Sequence, residues 1–106
     1  MSDFVYSFFD RVLANAALST TVNLKINFTS DSIQQQLTIL QFKQQLQSLC
    51  SSVQIIFAQE IQNKNVKMVQ TSGNLKTKES FQQFFASFLI ENELISAINF
   101  TMQPRK

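Results

Sequence analysis

Histidine and tryptophan are absent from this chain, and glycine, proline, cysteine and tyrosine each occur once. Each shortage excludes a chemistry. Without His, the commonest general base and a main metal ligand are missing. A single Gly cannot build a phosphate-cradling loop or a strained nucleophile turn, because both need several glycines at fixed offsets. The lone Cys50 cannot form an internal disulfide. Its neighbours Leu46, Leu49 and Val53 make it a buried core thiol rather than a nucleophile.

Acidic residues are few and scattered. Asp3, Asp10, Asp31, Glu60 and Glu79 share no local spacing, and Glu91 and Glu93 straddle an expected helix end and so diverge. No catalytic residue, cofactor site or metal site is therefore expected, and the chain reads as non-enzymatic. The net charge of +2 is too weak for the clustered basic face that nucleic acid demands. No run of eighteen apolar residues suggests a transmembrane span. Residues 1–18 carry Asp3, Asp10 and Arg11 and end in no cleavage pattern, so the expected setting is intracellular, cytoplasmic or nuclear, and non-secreted. The Asn-Phe-Thr triplets at Asn27 and Asn99 are then not expected to carry glycans.

Phenylalanine is abundant instead, eleven residues in 106. Leu, Ile, Val and Phe together make up about a third of the chain, well above the disordered range of under roughly 20 %. Phe has no polar handle that needs water, so this aromatic surface is expected in the core. The length fits one domain able to bury a core without disulfides or metal. Gln is also frequent, with fourteen residues; they form no long tract and read as compositional bias.

Periodicity places the elements. Over residues 3–18, Phe4, Val5, Phe8, Phe9, Val12, Leu13, Ala16 and Ala17 recur at helical spacing and form a wide apolar stripe, with Ser2 as N-cap. Val22 to Phe28 alternates apolar and polar without a break, the pattern of a half-buried strand. Ser32 and Gln35 fit a capping box for a helix over about 33–50. Thr38 to Phe42 would also suit a strand. Val53 to Gln59 reads as a strand with Val53, Ile55 and Phe57 on one face. Asn63-Lys64-Asn65 is a turn, and Val66 to Thr71 is the partner strand. Ser72-Gly73-Asn74 reads as a loop. Thr77 would cap a last helix carrying Phe81, Phe84, Phe85, Phe88 and Leu89, with Asn92 as its stop. Residues 97–102 form the final strand, and Pro104 ends it.

After the opening helix the predicted order is βαββαβ. That order gives an α+β fold of the ferredoxin-like kind, an antiparallel four-stranded sheet over residues 20–102 with an additional N-terminal helix and a tail at 103–106. The quartet Ile-Asn-Phe-Thr occurs at 26–29 and again at 98–101. It reads more as a coincidence of composition than as two matched neighbouring strands.

Two functional readings follow. The opening helix, a third beside the two of the βαββαβ unit, is an excess over what the sheet needs. Its stripe either joins the core or presents Phe4, Phe8, Phe9 and Val12 to a protein partner or a second copy. A polar sheet face with an exposed edge strand is the other candidate surface. The preferred function is a non-enzymatic protein-interaction module, a small subunit or adaptor of a larger complex, or a homo-oligomer. The alternative is a weak RNA or single-stranded nucleic-acid binder using Lys25, Lys67, Arg105 and Lys106. It is disfavoured because the open sheet face, expected to show Asn23, Lys25 and Asn27, then Lys67, Val69 and Thr71, then Ala97, Asn99 and Thr101, carries no aromatic on which bases would stack.

Overall fold

The computed structural model describes residues 3–14, 16–18, 20–30 and 32–103. Two helices and six strands follow in the order α1 (Asp3–Leu13), β1 (Thr20–Ser30), β2 (Ile33–Leu37), α2 (Ile39–Leu49), β3 (Ser52–Asn63), β4 (Val66–Lys76), β5 (Phe81–Glu91) and β6 (Leu94–Met102). All strands join one sheet in the order β2-β1-β6-β5-β4-β3. β1 and β6 run parallel, and every other neighbouring pair is antiparallel.

This is not the ferredoxin-like βαββαβ arrangement. The expected last helix is the strand β5. Its Phe residues satisfy both periods, since Phe84, Ala86, Phe88 and Ile90 alternate as cleanly as the helical stripe does. Ladders with β4 and β6 on either side decide for the strand. The expected helix over 33–50 is also divided. Ile33–Leu37 pairs with β1 as a hairpin, and α2 begins only at Ile39. The capping box sits at Thr38 and Gln41: the Gln41 N–H donates to Thr38 Oγ1 at 3.2 Å, and the Thr38 N–H donates to Gln41 Oε1 at 2.9 Å. Ser32, the cap expected from sequence, instead has φ 67°. The expected cap Ser2, the strand-ending Pro104 and the basic residues Arg105 and Lys106 lie outside the described residues.

The repeated quartet is a matched pair. Ile26, Asn27, Phe28 and Thr29 stand beside Ile98, Asn99, Phe100 and Thr101 in parallel register. Identical residues therefore face the same way on both strands. Ile and Phe point to the helices, while Asn and Thr point away.

The helices cover one sheet face, and Phe fills the space between. Phe100 stacks between Phe28 and Phe84, at 5.4 and 5.2 Å, with interplanar angles of 11° and 10°. Phe42 of α2 and Phe9 of α1 meet Phe100 edge-on, and Phe8 meets Phe88 at 4.7 Å. Offset and edge-on pairs of this kind each contribute roughly 0.5–1.5 kcal/mol beyond area burial. Val5, Phe8, Phe9 and Val12 are buried and Phe4 is half-buried, so the opening helix uses its stripe inside the domain. Side chains of α2 hold the chain end of α1 in place. Gln47 Nε2 donates to the Val12 carbonyl at 2.8 Å, one that the helix end leaves open, and Lys43 Nζ donates to the Ala16 carbonyl at 2.7 Å in the segment that follows α1.

Three features set the curvature and phase of β3 and β4. The register slips between Ile55↔Gly73 and Phe57↔Ser72, which makes Ile56 the extra residue of a bulge. Gly73 lies within β4, not in a loop. A Cβ there would sit 2.0 Å from the Gln54 carbonyl oxygen, so only glycine admits this close approach. Thr71, the buried polar residue among those described, donates from its hydroxyl to the Phe57 carbonyl at 2.6 Å. The bulge reverses the phase of β3: Ala58 points inward with Val53 and Ile55, and Phe57 points outward.

Candidate interaction surface

The sheet face turned away from the helices carries one row per alternate residue, read across the strands from the pairing registers. Its central row is Gln36, Asn27, Asn99, Ser87, Gln70 and Gln59, one from each of the six strands. Asn27 Nδ2 donates to Asn99 Oδ1 at 2.9 Å, and Asn99 Nδ2 to Ser87 Oγ at 3.5 Å. On one side of this row lie Thr29, Thr101, Phe85, Ser72 and Phe57. On the other lie Lys25, Ala97, Leu89, Met68 and Ile61.

Large apolar groups on this face are open to solvent: Phe57 by 50 %, Phe85 by 56 %, Ile61 by 52 % and Met68 by 41 %. Phe57 and Phe85 flank Ser72 across three strands. Next to it a groove of about 330 Å³ is lined by both rings together with Gln70, Ser87, Asn99 and Thr101. Among the outward positions of β3 to β6, charge is confined to Lys76 near one end and Glu91 near the other. A polar but uncharged row flanked by exposed large apolar groups is closer to the composition of an interface core than to that of ordinary surface.

Of the candidates named from the sequence, the sheet face is this one, whereas the helix stripe and Lys67 fall elsewhere. Phe8, Phe9 and Val12 are buried and Phe4 is half-buried, so that helix face is not open to a partner. Lys25 points outward from β1, whereas Lys67, half-buried on β4, pairs with Ile90 and points to the helix side. The two lysines sit on opposite faces and build no common basic surface. Val69 and Thr71, expected on the open face, are buried on the other. The surface that does exist was signalled by Met68 and Phe85, each an apolar residue next to another apolar residue of opposite phase.

Cys50 ends α2, with its thiol donating to the Leu46 carbonyl at 3.4 Å. Burial pushes its pKa from 9.0 to about 11, which keeps it a thiol at neutral pH. No group of three or more Cys, Asp or Glu able to hold a metal ion occurs among the described residues. Nor is any helix among them long and apolar enough to cross a membrane.

No protein-family model matches the chain, and no curated protein matches it. Solved structures do. A de novo designed protein with a curved β-sheet is similar over 98 % of this chain and 89 % of its own, at TM-score 0.71 and 12 % identity. A phenazine biosynthesis-related protein of Pseudomonas aeruginosa is similar over 93 % and 76 %, at TM-score 0.62 and 11 % identity. A protein described as a SnoaL-like polyketide cyclase from Jannaschia sp. CCS1 is similar over 93 % and 82 %, at TM-score 0.60 and 12 % identity. At such identities the likeness is one of fold alone: this chain shares the curved-sheet arrangement of these structures, which is not the ferredoxin-like one.

Proposed function

We propose that this chain is a non-catalytic protein-interaction domain whose partner is a second copy of itself, bound through the outer face of the sheet. The observation that carries this reading is the charge-free centre of that face, where Phe57, Ile61, Met68 and Phe85 remain open to water while the opposite face is filled by aromatic rings.

Two properties favour a second copy over an unrelated partner. The central row is made of amides and one hydroxyl, which both donate and accept. Such a row is complementary to itself, as a row of like charges is not. The size also fits. Five interstrand steps of about 4.8 Å and strands of about 33 Å give a face on the order of 800 Å², close to the roughly 800 Å² per partner of a standard interface. The intracellular setting expected from the sequence belongs to the same reading, because an unpaired Cys50 and an exposed apolar face suit a reducing compartment in which the partner is always present.

The test compares two aspartate substitutions. Phe85→Asp changes a half-exposed ring and leaves the native circular dichroism spectrum while abolishing association in sedimentation equilibrium. Phe8→Asp buries a charge among Phe9, Phe42 and Phe88 and unfolds the chain. A Phe85→Asp protein that associates as the parent does would refute the proposed surface.

A further inference from the structure

Resting on the self-association proposed above, we infer how the two copies register: about a twofold axis running across the strands through the Gln70, Ser87 and Asn99 row, with Met68 of each copy entering the groove between Phe57 and Phe85 of the other.

The rows themselves point to this. Rotation about such an axis lays each strand antiparallel over its own counterpart and brings the central row onto itself. The row of Phe57, Ser72 and Phe85 then lies over the partner's row of Ile61, Met68 and Leu89. Along β3, β4 and β5 the first row is large, small, large, because Ser72 sits between two Phe rings. The second row places Met68 opposite that gap. Met is unbranched and flexible, and its thioether packs favourably at ring edges. The groove of about 330 Å³ beside Gln70, between the same two rings, is the volume it would fill. Packing of this kind keeps the two sheets aligned at a spacing near 10 Å.

Charge decides between this axis and the other in-plane choice, one running along the strands. Lys76 pairs with Phe81 at one end of the face, and Glu91 pairs with Val66 at the other. An axis across the strands brings each Lys76 to the end that carries the partner's Glu91. An axis along the strands would bring Lys76 to Lys76 and Glu91 to Glu91. Opposite charges at the rim steer and fix register, and like charges disfavour it.

The experiment measures the dimer Kd of the full chain by sedimentation for four proteins: the parent, Lys76→Glu, Glu91→Lys and the double variant. Each substitution is at an exposed position, and circular dichroism checks that each variant keeps the parent fold. The expected result is roughly tenfold weaker association for either single reversal and recovery in the double variant. Met68→Glu should weaken association tenfold or more. A parent dimer whose Kd ignores the single reversals overturns the register and leaves self-association standing. A parent chain that stays monomeric overturns both.

Discussion

Substituting Gly73 by Ala adds one methyl group, and the outcome depends on the β3 bulge. The new Cβ would lie 2.0 Å from the Gln54 carbonyl oxygen, 3.0 Å from its carbon and 3.1 Å from the Ile55 Cα. All three are backbone atoms, so no side chain can rotate away. Relief requires β3 to retreat by more than an ångström, which loosens its ladder with β4 around Ile55 and Phe57. Overpacking of this kind costs about 1–3 kcal/mol, and each backbone hydrogen bond lost adds roughly 1 kcal/mol. A loss near 3 kcal/mol is expected, against a total of about 5–15 kcal/mol for a domain of this size. With a urea dependence of about 1–3 kcal/mol/M, the unfolding midpoint should fall by about 1–3 M. The opposite sign is expected if Gly73 lies in a relaxed loop, since Gly→Ala there stabilises by roughly 0.4–1 kcal/mol. A midpoint that rises or stays within error in urea titration refutes the bulge geometry. Ser72→Ala, at the position before Gly73, adds no atom to the backbone contact and serves as the control.

Three further outcomes follow from the same contacts. Phe100→Ala removes the ring shared by Phe28, Phe84, Phe9 and Phe42 and should cost about 3–5 kcal/mol in urea unfolding; a cost under 1 kcal/mol would place the core elsewhere. Glu93 turns the β5–β6 hairpin with φ 67°, beside Asn92 at φ 52°, so Glu93→Gly should stabilise by about 1 kcal/mol and raise Tm, and a lower Tm would contradict the turn. Cys50, with its pKa raised by burial from 9.0 to about 11, should react with a disulfide reagent at pH 8 about a hundredfold more slowly than in the unfolded chain. The folded state holds that proton to higher pH than the unfolded state, so the thiol's contribution is intact below pH 9 and is lost as pH rises through 9 to 11. Cys50→Ala should flatten that part of the stability profile.

Sequence patterning made some of this fold legible and misread other parts for physical reasons. The strand from Val22, the hairpin at Asn63 to Val66 and the opening helix follow from single, unopposed periods, although that helix stops at Leu13 and leaves out Ala16 and Ala17 of the expected stripe. Residues 81–91 carry two periods at once, because Phe85 and Leu89 add a helical stripe to the alternation of Phe84, Ala86, Phe88 and Ile90. Only the ladders with β4 and β6 decide between them. Missing that strand turned a mixed six-stranded sheet into a ferredoxin-like one. The exposed apolar part of the outer sheet face was hidden by the bulge at Ile56. Counting by twos from Val53 places Phe57 in the core, and the single extra residue turns it outward. In β4 no residue is inserted; apolar and polar residues are mixed on both phases there, and only the ladder with β5 turns Val69 and Thr71 inward. Conversely, the repeated Ile-Asn-Phe-Thr quartet held more than its composition suggested, since parallel neighbours in register present the same residues to the same surroundings.

Self-association through the outer sheet face is tested most directly by the mass of the unmodified chain in solution, read by light scattering from low to high concentration. The predicted result is a rise from 12.2 kDa to a plateau at twice that mass. A value that stays at the monomer mass throughout would contradict the proposed second copy and leave Phe57, Met68 and Phe85 without the partner inferred for them.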